Sequence, residues 1–375
     1  MKSFFLELKN IDWLLLVAIL PLLFAGLSVM NSYTDQSQYY ERQLTWIVIA
    51  LAVFFIFSFI DFRFLRSSGI LITLFLIIIS LLVLLFFVAS LVHGTRSWFS
   101  IGAFSFQPSD PAKLILILIL AKYFSRRHIE IADVKHIIIS GIYALVIFLL
   151  VLFQPDFGSA IIIFLIWLGL VLVSGISKKH LLLVFLTALT VFLVMWSFVL
   201  ADYQKQRVLT FIDPLADVRG AGYNAYQSTI AVGSGQLLGK GVGYGTQSRL
   251  KFLPEYETDF VFAAFAEEWG FVGVLILFVL FGVIIWRILA NAWRGATNFE
   301  ILFGLGLAIL FISHFTVHVG MNIGLLPVTG VTVPFLSYGG SHLLTEFAGL
   351  GILMGMRRYR RVAHKEAMKN EFLGV

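Results

Sequence analysis

The chain has no cysteine, and only 13% of its 375 residues are charged. Without thiols it can form neither a disulfide nor a thiolate metal centre, and its redox compartment leaves no mark. The scarcity of charge, set against 59% hydrophobic residues, excludes a soluble domain. The short alternating strands of a membrane barrel are missing as well. No repeat of 20–50 residues and no low-complexity linker is visible, so residues 1–375 read as one membrane domain. There are only eight prolines. Pro21 and Pro334 lie in or beside apolar runs, which membrane helices tolerate when neighbours satisfy the freed backbone groups.

What fills the chain is a succession of apolar runs of about 20 residues, the length that crosses roughly 30 Å of hydrocarbon. The reading is an all-α, polytopic membrane protein with about ten transmembrane helices. They are expected near 11–30, 43–60, 69–92, 109–125, 136–153, 158–174, 180–200, 261–288, 300–320 and 332–356. The first run, preceded by Lys2 and Lys9, is expected to be an uncleaved helix rather than a signal peptide.

The connections alternate in charge. Most of the 27 Lys and Arg fall at the two termini and in every second loop, including Arg63, Arg66, Lys122, Arg126, Lys178, Lys179, Arg287 and Arg294. The positive-inside rule therefore places both termini in the cytoplasm of a plasma membrane protein. It turns residues 93–108, the Gln154–Gly158 turn, the long loop 201–258 and residues 321–331 outward. The net charge of +6 then reflects topology and anionic lipid, and nucleic-acid binding is not supported.

The loop 201–258 is polar and rich in glycine. Tyr223, Tyr226 and Ile230 recur at near-helical spacing, which predicts a short amphipathic helix at the interface. Glycines at 233, 235, 239, 241, 243 and 245 suit either a flexible surface loop or a backbone cradle for substrate. They do not form a phosphate-binding P-loop.

Acids at a membrane edge are costly to keep and are functional candidates. Asp259 stands where the loop re-enters an apolar run. If it starts the eighth helix, Glu267 and Glu268 lie about 12–13.5 Å along the axis, rotated roughly 80° and 180° from it. The three cannot then share one site, and contacts with other helices are favoured for the Glu pair. For Asp259 the pattern leaves two readings open: a catalytic acid, or an acid complementing the helix dipole beside a Thr258 cap. Ser109 is the expected cap of the fourth helix, where Asp110 and Lys113 are spaced to pair; Lys113 and Arg96, beside Trp98, are alternatively cations for a diphosphate. Asp156 lies in a turn too short for an ordinary loop. His314 and His318, four apart, have no third ligand in register, so polar contacts are favoured over a metal.

The motifs containing these residues are DYQ with QRV at 202–208, GAGYNAYQSTIAVGSG at 220–235, GKGVGYGTQSRLKFLPEYETDFVFAAFAEEWG at 239–270 and NIGLLPVTGVTVPFLSYGGS at 322–341, with QPSD at 107–110 and QPDFG at 154–158. In them the chain resembles the SEDS family (shape, elongation, division and sporulation) over nearly its whole length, on the RodA branch. The resemblance implies a peptidoglycan glycosyltransferase that polymerises lipid II during cell elongation and releases undecaprenyl diphosphate. It implies a class B penicillin-binding protein as transpeptidase partner, beside other elongation-complex proteins. The family's essential acid falls on Asp259, as general base or as ligand of a divalent cation, Mg or Mn. Arg96, Trp98, Lys113, Asp156, Arg207, Glu255, Ser337 and Ser341 are the expected substrate-binding residues. Asp110 departs from the glutamate usual in the family. A lipid II flippase is the alternative function for such a chain, with a pure scaffold behind it.

Overall fold

The computed structural model describes residues 11–31, 37–89, 96–101, 104–126, 134–198, 205, 209–211, 221–250, 252–253 and 255–373. Helices dominate: α1 (Trp13–Asn31), α2 (Ser37–Phe59), α3 (Ser68–Val88), α4 (Ser109–Ser125), α5 (Val134–Phe153), α6 (Phe157–Val173), α7 (Lys178–Phe198), α8 (Ala221–Ser234), the single turn α9 (Thr246–Arg249), α10 (Val261–Trp293), α11 (Asn298–Asn322) and α12 (Gly340–Leu373). Setting α8 and α9 aside, the other described helices each overlap one of the expected spans. Six are long and apolar enough to cross a membrane by length and composition alone, over 13–31, 39–59, 68–88, 134–153, 261–293 and 298–322.

The bundle is built around its later helices. α12 packs along α2, α10 runs beside α1 and α11, and α11 also lies against α4 and α6. Phe54 of α2, Phe347 of α12 and Phe335 meet edge to face in the core, with centroids 6.2 and 5.7 Å apart. At the end of the bundle away from Asp259, the Asp12 carboxylate takes hydrogen bonds from Arg287 Nη2 at 2.6 Å and Asn291 Nδ2 at 2.7 Å. Burial alone would raise its pKa, but these donors hold it below the usual aspartate value.

Several boundaries differ from the sequence reading. The last helix starts at Gly340, not near 332. Residues 331–336 are apolar because Val331, Val333, Phe335 and Leu336 are buried beneath the helix ends, in a non-helical segment where Phe335 takes φ 64°. Residues 99–106 hold a hairpin, β1 (Phe99–Ile101) paired antiparallel with β2 (Phe104–Phe106), where only a loop is expected. The predicted helix in the long loop exists as α8, but it buries Ser228 and Ala231 while Tyr226 is 51% exposed.

Candidate active site

Asp259 lies before α10, not inside it. The amides of Thr258, Asp259 and Phe260 all donate to the Glu255 carbonyl, at 3.1, 3.1 and 3.2 Å, closing a tight turn in which Glu255 has φ 49°. Phe260 is the residue that caps α10, and no side chain of its own caps it. The expected Thr258 cap is therefore not formed: the Thr258 hydroxyl points back to Glu255 instead.

Asn322, at the end of α11, supplies what the local sequence does not. Its Nδ2 donates to the Asp259 carbonyl at 3.0 Å and to the His318 carbonyl at 2.8 Å. Its Oδ1 accepts the Ala263 amide at 3.2 Å, one of the orphan donors of the α10 amino end. Ser337 holds the same turn from the other side, its hydroxyl donating to the Thr258 carbonyl at 2.9 Å, and Tyr338 N donates to the Glu257 carbonyl at 2.8 Å. Gly330, at φ +73°, leaves open the space beside the carboxylate, since a Cβ there would sit 3.5 Å from Asp259 Oδ2. Asp259 itself is half-buried. Glu257 is enclosed, and burial pushes its carboxyl above the ordinary glutamate range.

The other expected site segments are tied to this one. Gln107 exchanges hydrogen bonds with Ser341, its amide donating to Ser341 Oγ and its carbonyl accepting from it, each at 3.2 Å. Gln107 Nε2 donates to Asp156 Oδ2 at 2.9 Å, and Asp156 Oδ1 caps α6 by accepting Ser159 N at 3.0 Å. The Arg96 amide donates to the Gln154 carbonyl at 3.3 Å, leaving the guanidinium on an exposed residue beside the half-buried Trp98. Gly158 comes so close to the Thr329 carbonyl that a Cβ would lie 2.5 Å from it. One chain of contacts thus runs from Arg96 through Gln154–Gly158 and Gln107 to the 329–341 segment and Asp259.

Lys113 is placed differently. It is 3% exposed, 3.1 Å from Asp110 Oδ1 and 3.4 Å from His314 Nε2. Its ammonium is committed to the bundle interior rather than open to a diphosphate. His342 extends this cluster, 3.6 Å from Asp110 and 2.9 Å from Glu346, whose other oxygen accepts the Phe335 amide at 3.3 Å. Buried charges in such surroundings persist only when paired. His314 and His318 turn their Nδ1 atoms to the carbonyls of Thr332 and Val331, at 3.0 and 2.6 Å. The expected Ser109 cap is absent, because Pro108 occupies that position. Arg207 lies outside the described residues.

The expected contacts of the Glu pair with other helices are made by Glu267, which takes bonds from Ser234 of α8 and from Thr246 and Gln247 of α9, and both acids hold the glycine-rich loop. The buried Glu267 Oε1 accepts from Lys240 Nζ at 2.7 Å, Thr246 N at 2.9 Å and Thr246 Oγ1 at 3.0 Å, and Glu268 Oε1 accepts Gly243 N at 3.0 Å. The three acids do not share one site, as the spacing implied, although Asp259 precedes the helix and α10 breaks just beyond the Glu pair at Gly270, at φ 65° and ψ −170°. Gly239 backs onto this break: a Cβ on it would stand 2.1 Å from the Glu268 carbonyl. Asn322, Gln107, Lys240 and the His342–Glu346 pair were not singled out as site residues; an asparagine ending an apolar helix and an EEWG run inside one are the signals that pointed to them.

Comparison with known proteins agrees with this architecture. The family model for the cell cycle proteins FtsW, RodA and SpoVE matches residues 7–362, and the chain belongs to that family. It is a multi-pass membrane protein. It is 36% identical over 368 residues to the peptidoglycan glycosyltransferase MrdB of Escherichia coli K12, covering 97% of this chain and 98% of that one. It is 34% identical over 364 residues to the stage V sporulation protein E of Bacillus subtilis, covering 93% and 98%. Among solved structures, a chain of a peptidoglycan synthase complex superposes with a TM-score of 0.79 at 32% identity, covering 93% and 98%. The rod shape determining protein RodA of Thermus thermophilus gives 0.70 at 30% identity, covering 93% and 97%.

Proposed function

We infer that the protein is a peptidoglycan glycosyltransferase that polymerises lipid II, with Asp259 as the general base. The observation that carries the assignment is the placing of this one half-open carboxylate. It stands on a turn fixed from two sides by Asn322 and Ser337, at the end of the bundle where the Gln107, Gln154–Gly158 and 329–341 segments meet. A general base needs a fixed position within hydrogen-bond reach of the proton it removes.

In the reaction, the 4-hydroxyl of the incoming lipid II sugar attacks the anomeric carbon of the lipid-linked strand. The new C–O bond forms as the bond to the diphosphate breaks, the diphosphate leaves with the electron pair, and the hydroxyl proton passes to Asp259. The exposed Arg96 is a described cation at this face suited to the departing charge, and Arg207 is the second candidate. Trp98 gives the site an interfacial aromatic. Glu255 shapes the turn through its carbonyl, and Asp156 and Ser341 fix Gln107 between them. A divalent cation, Mg or Mn, would neutralise the leaving diphosphate; among the described residues no group of three His, Asp or Glu side chains is assembled to hold one without it. Asp259 is the carboxylate that a diphosphate-bound cation would meet.

The orientation that suits this chemistry has both termini cytoplasmic and the Asp259 face outside, where a class B penicillin-binding protein would crosslink the product alongside other elongation-complex proteins. The test uses purified full-length protein with labelled lipid II, with and without that partner, in Mg or Mn and in chelator. Wild type is expected to make polymer, and folded Asp259→Ala to make none. Full activity of folded Asp259→Ala would sink the assignment, and lipid II movement across liposomes without polymer would favour a flippase.

A further inference from the structure

At the end of α4 remote from Asp259, about 25 Å along that helix at 1.5 Å per residue, α3, α4 and α5 enclose a groove of about 180 Å³. Its polar rim is formed by Lys122 in the last turn of α4, Arg126 just beyond it, and Ser68 at the start of α3. Leu71, Ile72, Phe75 and Ile119 make an apolar floor that runs from this rim along the helices. Tyr143 and Tyr123 form the remaining wall. Their rings meet edge to face at 6.3 Å, and the Tyr123 hydroxyl is fixed to His136 Nδ1 at 2.8 Å. Ile72 is 57% exposed, so the floor opens toward the hydrocarbon around the bundle.

A solvated pair of helix-end cations would account for Lys122 and Arg126 if nothing else faced them. Two observations go further. Among the described residues, no carboxylate forms an ion pair with either side chain, whereas the neighbouring Arg66 is neutralised by Glu300. The opposite rim holds Ser68 in the first turn of α3, whose cap residue Ser67 makes no side-chain capping bond, so the positive end of that helix dipole lies at the same rim as the cations. A cationic mouth on an apolar groove, at a membrane edge, matches a molecule with one anionic head and a hydrocarbon tail.

We propose that this groove is a binding site for one anionic phospholipid of the leaflet opposite the catalytic face. Its phosphodiester lies between Lys122, Arg126 and the amino end of α3, and one acyl chain lies along Leu71, Ile72, Phe75 and Ile119. The site is separate from the polymerisation centre and does not depend on the role given to Asp259.

Native mass spectrometry of the full-length protein, with phosphatidylglycerol or phosphatidylethanolamine of matched chains, reads this directly. Wild type is expected to retain one phosphatidylglycerol roughly 30-fold more tightly than phosphatidylethanolamine, the effect of two membrane-edge cations. Lys122→Gln with Arg126→Gln should lose that preference, and the charge-keeping pair Lys122→Arg with Arg126→Lys should keep it. Ile72→Trp, at a tolerant exposed position, should displace the chain while leaving the cations in place; it decides the matter if the double variant does not fold. Equal retention of both lipids by wild type, undiminished retention in Ile72→Trp or in the folded double glutamine variant, or displacement by inorganic phosphate would overturn the proposal.

Discussion

Ser337 donates its hydroxyl to the carbonyl of Thr258 at 2.9 Å, and its own Oγ accepts the Val333 amide at 3.0 Å. One small side chain thereby binds the segment before α12 to the residue immediately preceding Asp259. Ser337→Ala would leave two backbone groups unsatisfied, at a cost of about 1–3 kcal/mol. The expected outcome is a lower melting temperature together with a reduced polymerisation rate, since the base is no longer held in place. Wild-type rate and stability in this variant would show that the turn is positioned by Asn322 alone.

Gly239 and Gly233 should respond oppositely to alanine. At Gly239 the backbone has φ +80° and a Cβ would collide with the Glu268 carbonyl, whereas at Gly233 nothing lies within 4 Å. Gly239→Ala is expected to destabilise by on the order of 2–4 kcal/mol. Gly233→Ala, inside α8, should be neutral or slightly stabilising. Thermal unfolding in detergent compares the two directly.

Glu267 is expected to act as the loop's anchor. Replacing it by Ala removes the acceptor shared by Lys240, Thr246 and Gln247. Breaking a buried ion pair from one side costs roughly 3–5 kcal/mol in favourable cases. Here the partner Lys240 is partly exposed and can re-solvate, so the larger effect should be local. Limited proteolysis should cut the variant between residues 235 and 249 while leaving the wild type intact there.

Glu257 predicts a pH dependence. Burial raises its folded-state pKa above the ordinary 4.5. The folded chain therefore holds this proton more tightly than the unfolded chain does. Stability from this group is fully present below pH 4.5 and falls as pH rises toward the raised folded value. Glu257→Gln should flatten that decline and raise the melting temperature at neutral pH. An unchanged pH profile would mean that the carboxylate is stabilised in the fold after all.

The helices were legible because length and apolarity alone specify a membrane-crossing segment. The expected 136–153 and 158–174 runs became α5 and α6 within two residues at either end. The same signal misled at 331–336, where apolar side chains fill the mouth of the bundle and Pro334 and a left-handed Phe335 exclude a helix. At the site, Asp259, Asp156, Ser337 and Ser341 were recognisable in their motifs. What the sequence hid was pairing across distance. Nothing local joins Asn322 to Ala263, Gln107 to Ser341 or Lys240 to Glu267, and a helical wheel cannot anticipate a break that only a distant loop makes tolerable.

That break has a consequence of its own. In an unbroken α10 the amides of Phe271 and Val272 would bond to the carbonyls of Glu267 and Glu268. Instead Phe271 N donates to Gln236 O at 2.8 Å and Val272 N to Leu237 O at 3.1 Å, while Glu267 O and Glu268 O accept Lys240 N and Gly241 N, each at 3.0 Å. Residues 236–241 are spliced into the ladder of the helix, replacing two bonds by four. A loop graft between relatives that carried only 235–247 would strand four backbone groups beside the membrane. The unit that can be exchanged is the loop together with residues 267–272.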